Sequence, residues 1–518
     1  MRKQDRPDHE LPSFGRYLNK VFDFRSTVSG LTDSRRDPAI SPSAVFLAAF
    51  HAFVFRLPSF QQLESELAQP ALQRWIGASR AFSDDTLRYS LSGFHLEGLE
   101  RMLTGVNRTL KRNKVFDADR VQGRIVAALD GIEVLSSYSR HCDSCLERRV
   151  KVKKAGVTVE QIQYYHRAVG CQIVNGPVKT FLALEWLKPG EGEDTAALRL
   201  LGNLPDRYGS RFFDILLMDA LYAQAPVLKL VAELRWDVVI SLKQNLPELY
   251  QSAVRLFAHR PADCHLTERC GGKTYECQIW DTEGLPFSSD YPEPVRVVRA
   301  EESLTQNHYR RGQLTPETTE HEWLWITTLE PKAFPATMVR RLGHDRWKLE
   351  NNGWNDLTQN WAFKHGFLHA CRHRCPAGSE NNSITGGAGL NESVTLAQPV
   401  PELSVPQDSG DQPDIENQGL DRESQTSQLQ PVLTVGTGEL VPQDTPRTSL
   451  VENRGLAAVS LILLLGFTLS TAFIHCHSKI FRRYRMTTIA VAGQLRRGVS
   501  KLPPNIRAPD SPAEPQPA

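Results

Sequence analysis

The sequence predicts an α/β fold in which a mixed sheet carries helices on its faces, with a helical segment ahead of it and a β-rich insertion within it. Three observations carry this expectation. The run GRIVAALD (123–130) is β-branched and apolar and ends in an acid, and YHRAVGCQIV (165–174) and VKTFLALEWL (178–187) follow as further strand candidates. Helix and strand then alternate: DTAALRLLGNL (194–204), RFFDILLMD (211–219), APVLKLVAELR (225–235) and WDVVISLK (236–243). That alternation is the pattern of a sheet covered by helices.

Each flanking segment has its own signature. Residues 12–118 read as helical and basic: SAVFLAAFHAFVF (43–55) is apolar almost all round and so predicts a buried helix. SFQQLESELAQPALQRWI (59–76) is amphipathic, and Ser83 with Asp84 and Asp85 is positioned to cap the next helix. LEGLERMLTGVNRTLKRNKVF carries arginines and lysines on its polar face, which reads either as a DNA contact or as a solvated surface. The core is expected over 119–250 and 336–375, with the β-rich insertion at 251–335 drawn from CHLTERCGGKTYECQIW, VRVVRA and EWLWITTL. Helical periodicity returns at 338–363. Residues 376–453, rich in Ser, Thr, Gln, Pro, Asn and Gly, are expected to be disordered, because so little apolar surface cannot offset ordering entropy. An apolar helix and basic tail close the chain at 454–502.

Composition excludes some classes and leaves others open. With 518 residues, 40% hydrophobic and 23% charged, the chain has material for two or three domains and a real core. A net charge of +2 does not by itself mark a nucleic-acid binder, since phosphate contacts need only a local basic face. Nine cysteines in a chain this long do not make a disulfide scaffold; their clusters, HCDSC and CRHRC, mix Cys with His as metal sites in reducing compartments do. The first residues have no apolar run behind their charges, so no secretory signal is expected and the location expected is cytoplasmic.

Asp130 and Asp219 each stand at the carboxyl end of a predicted buried strand, where loops of open sheets converge on a crevice. Glu350 stands on a predicted helix that can cross the same edge. Three such carboxylates can hold two divalent ions about 3.5–4 Å apart, one activating water and one stabilising a leaving oxygen. Hard oxygen donors suit Mg²⁺, with Mn²⁺ as substitute. By composition alone the trio competes with many others among 59 acids, and an aspartate after a strand is also a common turn former.

Several segments together resemble bacterial insertion-sequence transposases of the DDE class, whose catalytic core is ribonuclease-H-like. They are ALDGIEVLSSYSRHCDSCLERR (128–149), YYHRAVGCQIV (164–174), LKPGEGEDTAALRLL (187–201), DILLMDALYAQAPVLKLV (214–231), VVISLKQNLPELY (238–250) and DRWKLENNGWNDLTQNW (345–361), in the family's order. The resemblance implies Asp130, Asp219 and Glu350 as the three metal-holding acids. It also implies Arg346 as the arginine of a tyrosine-arginine-glutamate-lysine signature. The tyrosine position is Gly343, and the lysine position falls at Leu357 or Thr358. Implied with these are double-stranded DNA as partner (element ends and target), a homodimer on DNA, and strand cleavage followed by strand transfer.

Other constellations stand beside this one. His141, Cys142 and Cys145 with His166 form a candidate zinc site, Cys-x2-Cys plus imidazole being a suitable donor set. The stretch between, LERRVKVKKAG, reads as a basic loop able to lie on phosphate. Cys371, His373 and Cys375 form a looser cluster. Arg310 and Arg311 in NHYRRGQ, and Lys243 after a strand, are candidate phosphate contacts. Trp347, Trp354 and Trp361 recur every seven residues, as core packing more than as base-stacking platforms. AAVSLILLLGFTLSTAFI (457–474) is long enough for a membrane span only at the margin and is expected instead to be a core helix. Two other readings stay open: a DNA-binding derivative that no longer cuts, and a protein anchored in a membrane through 457–474.

Overall fold

The computed structural model describes residues 10–139, 141–154, 157–270, 273–310, 313–365, 367–368, 454–477, 481 and 486–502. The cluster at Cys371, His373 and Cys375, the segment 376–453 and Arg311 lie outside them. Seven helices open the chain: α1 (Glu10–Phe22), α2 (Phe24–Ser29), α3 (Pro42–Val54), α4 (Phe60–Leu67), α5 (Pro70–Ile76), α6 (Asp84–Ser92) and α7 (Leu96–Arg112). Local chemistry sets their starts. The Ser41, Ser59 and Ser83 hydroxyls accept from the backbone N–H groups of Ala44, Gln62 and Thr86, satisfying donors that no helical carbonyl reaches. α3 is buried along nearly its whole length, as its unbroken apolar run predicts.

The sheet holds ten described strands: β1 (Val126–Ser137), β2 (Leu146–Lys154), β3 (Val157–Ile173), β4 (Thr180–Trp186), β5 (Ile215–Met218), β6 (Asp237–Ser241), β7 (Cys264–Cys270), β8 (Lys273–Ser288), β9 (Tyr291–Arg310) and β10 (Gln313–Thr327). Its centre runs β4-β3-β1-β5-β6, with β1, β5 and β6 parallel and β3 antiparallel to β1 and to β4. β10, β9, β8 and β7 extend it as antiparallel neighbours beyond β6. This is the mixed, ribonuclease-H-like α/β architecture that the sequence predicts. Parallel strands need crossovers, and α9 (Ala225–Glu233) supplies the one between β5 and β6. α8 (Glu193–Tyr208) packs on β3 and β4.

Three expectations change. LERRVKVKK is not a loop but β2, paired with β3 in a hairpin; the alternation of Val150 and Val152 with Arg149, Lys151 and Lys153 is a two-residue period. The insertion begins with a helix, α10 (Pro247–Ala258), where Pro247 sits in the first turn and Leu249, Ala253 and Phe257 face inward at i, i+4, i+8. The predicted helix over 338–363 divides into α11 (Ala336–Asp345), a π-helical turn (Leu349–Trp354) and α12 (Asn355–Asn360). The basic face of α7 keeps Arg101, Arg108 and Arg112 exposed, and part of it is tied to a neighbouring stretch of the chain. Arg108 donates to the Arg207 carbonyl, and Lys111 to the carbonyls of Arg211 and Phe212, so these cations satisfy acceptors at and just beyond the end of α8.

α13 (Arg454–Ala472) is buried, packed against α3, α6, α7 and β4, while α14 (Thr488–Arg497) lies on α1. The helical run from Arg454 to His477 is apolar and long enough to cross a membrane, yet 94% of its apolar window is covered by protein. Buried Thr468 and Thr471 are tolerated because oxygens are at hand: the Thr468 hydroxyl donates to the Thr180 hydroxyl at 3.4 Å and the Thr471 hydroxyl to the Lys179 carbonyl at 3.2 Å.

Two packing features yield measurable expectations. The His51 ring is buried in α3; its Nε2 accepts from the Trp75 indole N–H (2.8 Å), so Nδ1 carries the proton toward the Leu47 carbonyl (2.7 Å). Burial holds its pKa down to about 4. The unfolded chain binds this proton near pH 6.5, the native protein only near 4. The site's contribution to stability is therefore complete above about pH 6.5 and lost as pH falls toward 4, on the order of 3 kcal/mol in all. His51→Gln should flatten that part of the denaturation-midpoint profile between pH 7 and 4; an unchanged slope would refute the assignment. Separately, a Cβ on Gly343 would come within 2.1 Å of the Trp325 indole. Gly343→Ala should cost about 1–3 kcal/mol, outweighing the roughly 1 kcal/mol that alanine gains in helix propensity. Trp325→Leu should suppress most of that cost in a double-mutant cycle, whereas strict additivity would count against the clash.

Candidate metal centre at the strand ends

The parallel register of β1 with β5 pairs Val126 with Ile215 and Ala128 with Leu217. Carried two residues further, the same offset sets Asp130 beside Asp219, on neighbouring strand paths about 4.8 Å apart. Both strands reach this point through fully buried runs, Ala127–Leu129 and Ile215–Met218, so the acids emerge where apolar sequence gives way to polar. Asp219 ends its strand; β1 continues past Asp130, because Gly131 to Val134 keep pairing with β3.

Asp130 sits in a charged pocket. Burial pushes its pKa up to about 6, opposed by the Arg346 guanidinium and the Gly131 N–H and reinforced by the negative charges of Glu193 and Asp219. Gly131 donates to Asp130 Oδ1 at 2.9 Å, and Arg346 Nη1 lies 3.8 Å from Asp130 Oδ2. Lys243 Nζ lies 3.7 Å from Asp219 Oδ1 and is 65% exposed. Such an open ion pair is weakly held, so the ammonium can leave it for another anion. Crowded acids, one of them destabilised as an anion, together with hard oxygen donors, fit a divalent cation.

Glu350 reaches this neighbourhood through the residues on either side of it. Four residues before it, Arg346 faces Asp130; four after it, Trp354 lies over Gly170, the register partner of Asp130 on β3. A Cβ at Gly170 would meet the Trp354 ring at 2.4 Å, and one at Gly353 would meet the Gln172 amide oxygen at 2.6 Å. Side-chain-free positions on both sides let the π-helical turn lie flat on the sheet. Glu350 itself is exposed, and among the described residues its carboxylate does not form, with Asp130 and Asp219, a group whose donor atoms all lie within 4.8 Å.

The signature departures have a physical basis. Trp325 on β10 occupies the space a side chain at Gly343 would need, and Leu357 is fully buried, where an unpaired lysine would be costly. Trp354 packs on Phe181, and Trp361 on Phe467 with the Arg56 guanidinium over its ring; Trp347 meets Trp323 and His344. All three tryptophans therefore serve packing, through different partners.

Glu193, not singled out from the sequence, is the residue that reasoning missed. At the first turn of α8 it pairs with Arg167, accepts from the Tyr222 hydroxyl at 2.6 Å, and faces Gly131 so closely that a Cβ there would meet its carboxylate at 2.3 Å. The hint was the sequence Asp130-Gly131: a glycine inside a strand marks close approach by another group.

Of the other candidates, Cys142, Cys145 and His166 come together in one buried group. His141, expected with them, is outside it; its exposed ring stacks on Tyr164 at 4.6 Å instead. Arg310 ends β9, and its side chain, like Arg311, lies outside the description.

Residues 165–355 match the family described as the transposase DDE domain. Asp219, Arg346 and Glu350 fall within that span, and Asp130 ahead of it. No curated protein matches the chain. Among solved structures, a piggyBac transposase in a synaptic complex with hairpin DNA is similar at 9% identity, covering 66% of this chain and 65% of that one, with a TM-score of 0.29. The chain thus spans about two thirds of that protein's length. Residues 165–355 carry a transposase DDE domain, set in a ribonuclease-H-like mixed sheet.

Proposed function

We propose that this chain is a DNA transposase that cuts the ends of its element and joins them to target DNA. The observation that carries the reading is the juxtaposition of Asp130, inside β1, with Asp219, just past the end of the neighbouring parallel β5, and the segment from Arg346 to Trp354 beside them. In this reading Asp130, Asp219 and Glu350 hold divalent ions, Mg²⁺ in the cell, which supply an activated water and stabilisation of the leaving oxygen. Arg346 orients the Asp130 carboxylate and limits repulsion between the acids. Lys243 swings from Asp219 to a DNA phosphate, since its exposed pair costs little to break. Double-stranded DNA is the substrate, bound by a homodimer whose copies each take one element end.

Asp130→Asn, Asp219→Asn and Glu350→Gln should each lower cleavage of end-bearing DNA by at least about 100-fold, with binding in a gel-shift assay retained. Cleavage by any of the three at the wild-type rate would sink the assignment of that acid. A second reading, DNA binding without cleavage, is favoured by Gly343, and Leu357 or Thr358, at the signature positions. It wins if wild-type protein binds the ends yet never nicks them in Mg²⁺ or Mn²⁺.

A further inference from the structure

Cys142, Cys145 and His166 form a buried group that the cutting chemistry does not use. Cys142 Sγ and Cys145 Sγ are 3.7 Å apart, and His166 Nε2 lies 3.3 Å from the first and 3.4 Å from the second. Zinc bonds of about 2.3 Å to sulfur and 2.0–2.1 Å to nitrogen, at tetrahedral angles, would set S···S near 3.8 Å and S···N near 3.5 Å. The three donors already stand at ligand spacing. The backbone agrees: Cys145 N–H donates to the Cys142 carbonyl (3.0 Å), closing the two-residue turn, and Cys142 N–H points at Cys145 Sγ (3.3 Å). An N–H aimed at sulfur favours the thiolate that binds metal. A Cys142–Cys145 disulfide would need the sulfurs about 2.05 Å apart.

We propose that these residues bind a structural zinc ion, fastening the root of the β2–β3 hairpin. The location gives the ion its task. Cys145 leads directly into β2, and His166, opposite Val134 of β1, sits between the last β2 pair of β3 and its first pair with β4. At that point β1 bulges, Leu135 standing at φ 61°, so the hairpin leaves the sheet where the ladder is irregular. Beyond it, β2 carries exposed Arg149, Lys151 and Lys153 on one face. A metal clamp at the root fixes the direction of this basic arm relative to Asp130.

The test uses the full chain, produced in zinc-supplemented medium and analysed for metal by mass spectrometry. About one tightly held zinc per chain is expected in the wild type, in His141→Ala and in the Asp130→Asn/Asp219→Asn double variant. It should be lost in Cys142→Ser and His166→Ala. Because those two variants can misfold, wild-type protein loaded with Co²⁺ provides a second measurement: tetrahedral d–d bands with thiolate charge transfer are expected. Chelation should speed amide exchange in 146–165 while leaving 126–130 protected. Zinc far below one per chain, an octahedral cobalt spectrum, or zinc lost with the aspartates instead of the cysteines would each overturn the proposal.

Discussion

The parallel pairing of β1 with β5 is the constraint on which the site depends. Two carboxylates on adjacent strands repel, and neither strand would hold them there without the apolar runs that precede them. Ala127, Ala128 and Leu129, and Ile215 to Met218, are buried almost completely. Burying one such side chain is worth about 1.5–3 kcal/mol, so several together outweigh the repulsion between the acids. Burial, reinforced by the neighbouring negative charges, raises the Asp130 pKa, a state that a cation would relieve.

Much of this was legible in the chain because the signals were local. The strand candidates ended in acids where polarity changes, and the helix between β5 and β6 announced itself by period. The Ser83 cap begins its helix where the pattern predicts. The illegible parts were those decided across the fold. Nothing near α7 says that Lys111 will be spent on carbonyls about a hundred positions later. Nothing near residue 343 says that Trp325 will fill its side-chain space. β2 was misread for another reason: its polar residues outweigh its two valines in composition, although their alternation is a strand's.

Glycine explains how so many groups converge on one site. Gly131 admits the Glu193 carboxylate, Gly170 admits the Trp354 ring, and Gly353 admits Gln172. Each is a place where a methyl group would push an acid or its support outward. The acids therefore occupy a cleft shaped as much by missing side chains as by the charged ones.

The burial of α13 has a consequence for how the protein comes into being. Its apolar surface is matched to α3, α6, α7 and β4, all made long before it, and more than eighty residues separate Leu368 from Arg454. At a translation rate of about 5–20 residues per second, the ribosome needs roughly 4–17 s to cross that interval. During it the nascent helical layer shows the ribosome's surroundings an apolar groove with its own filler still unmade. Completion of the core is thus a late, long-range event.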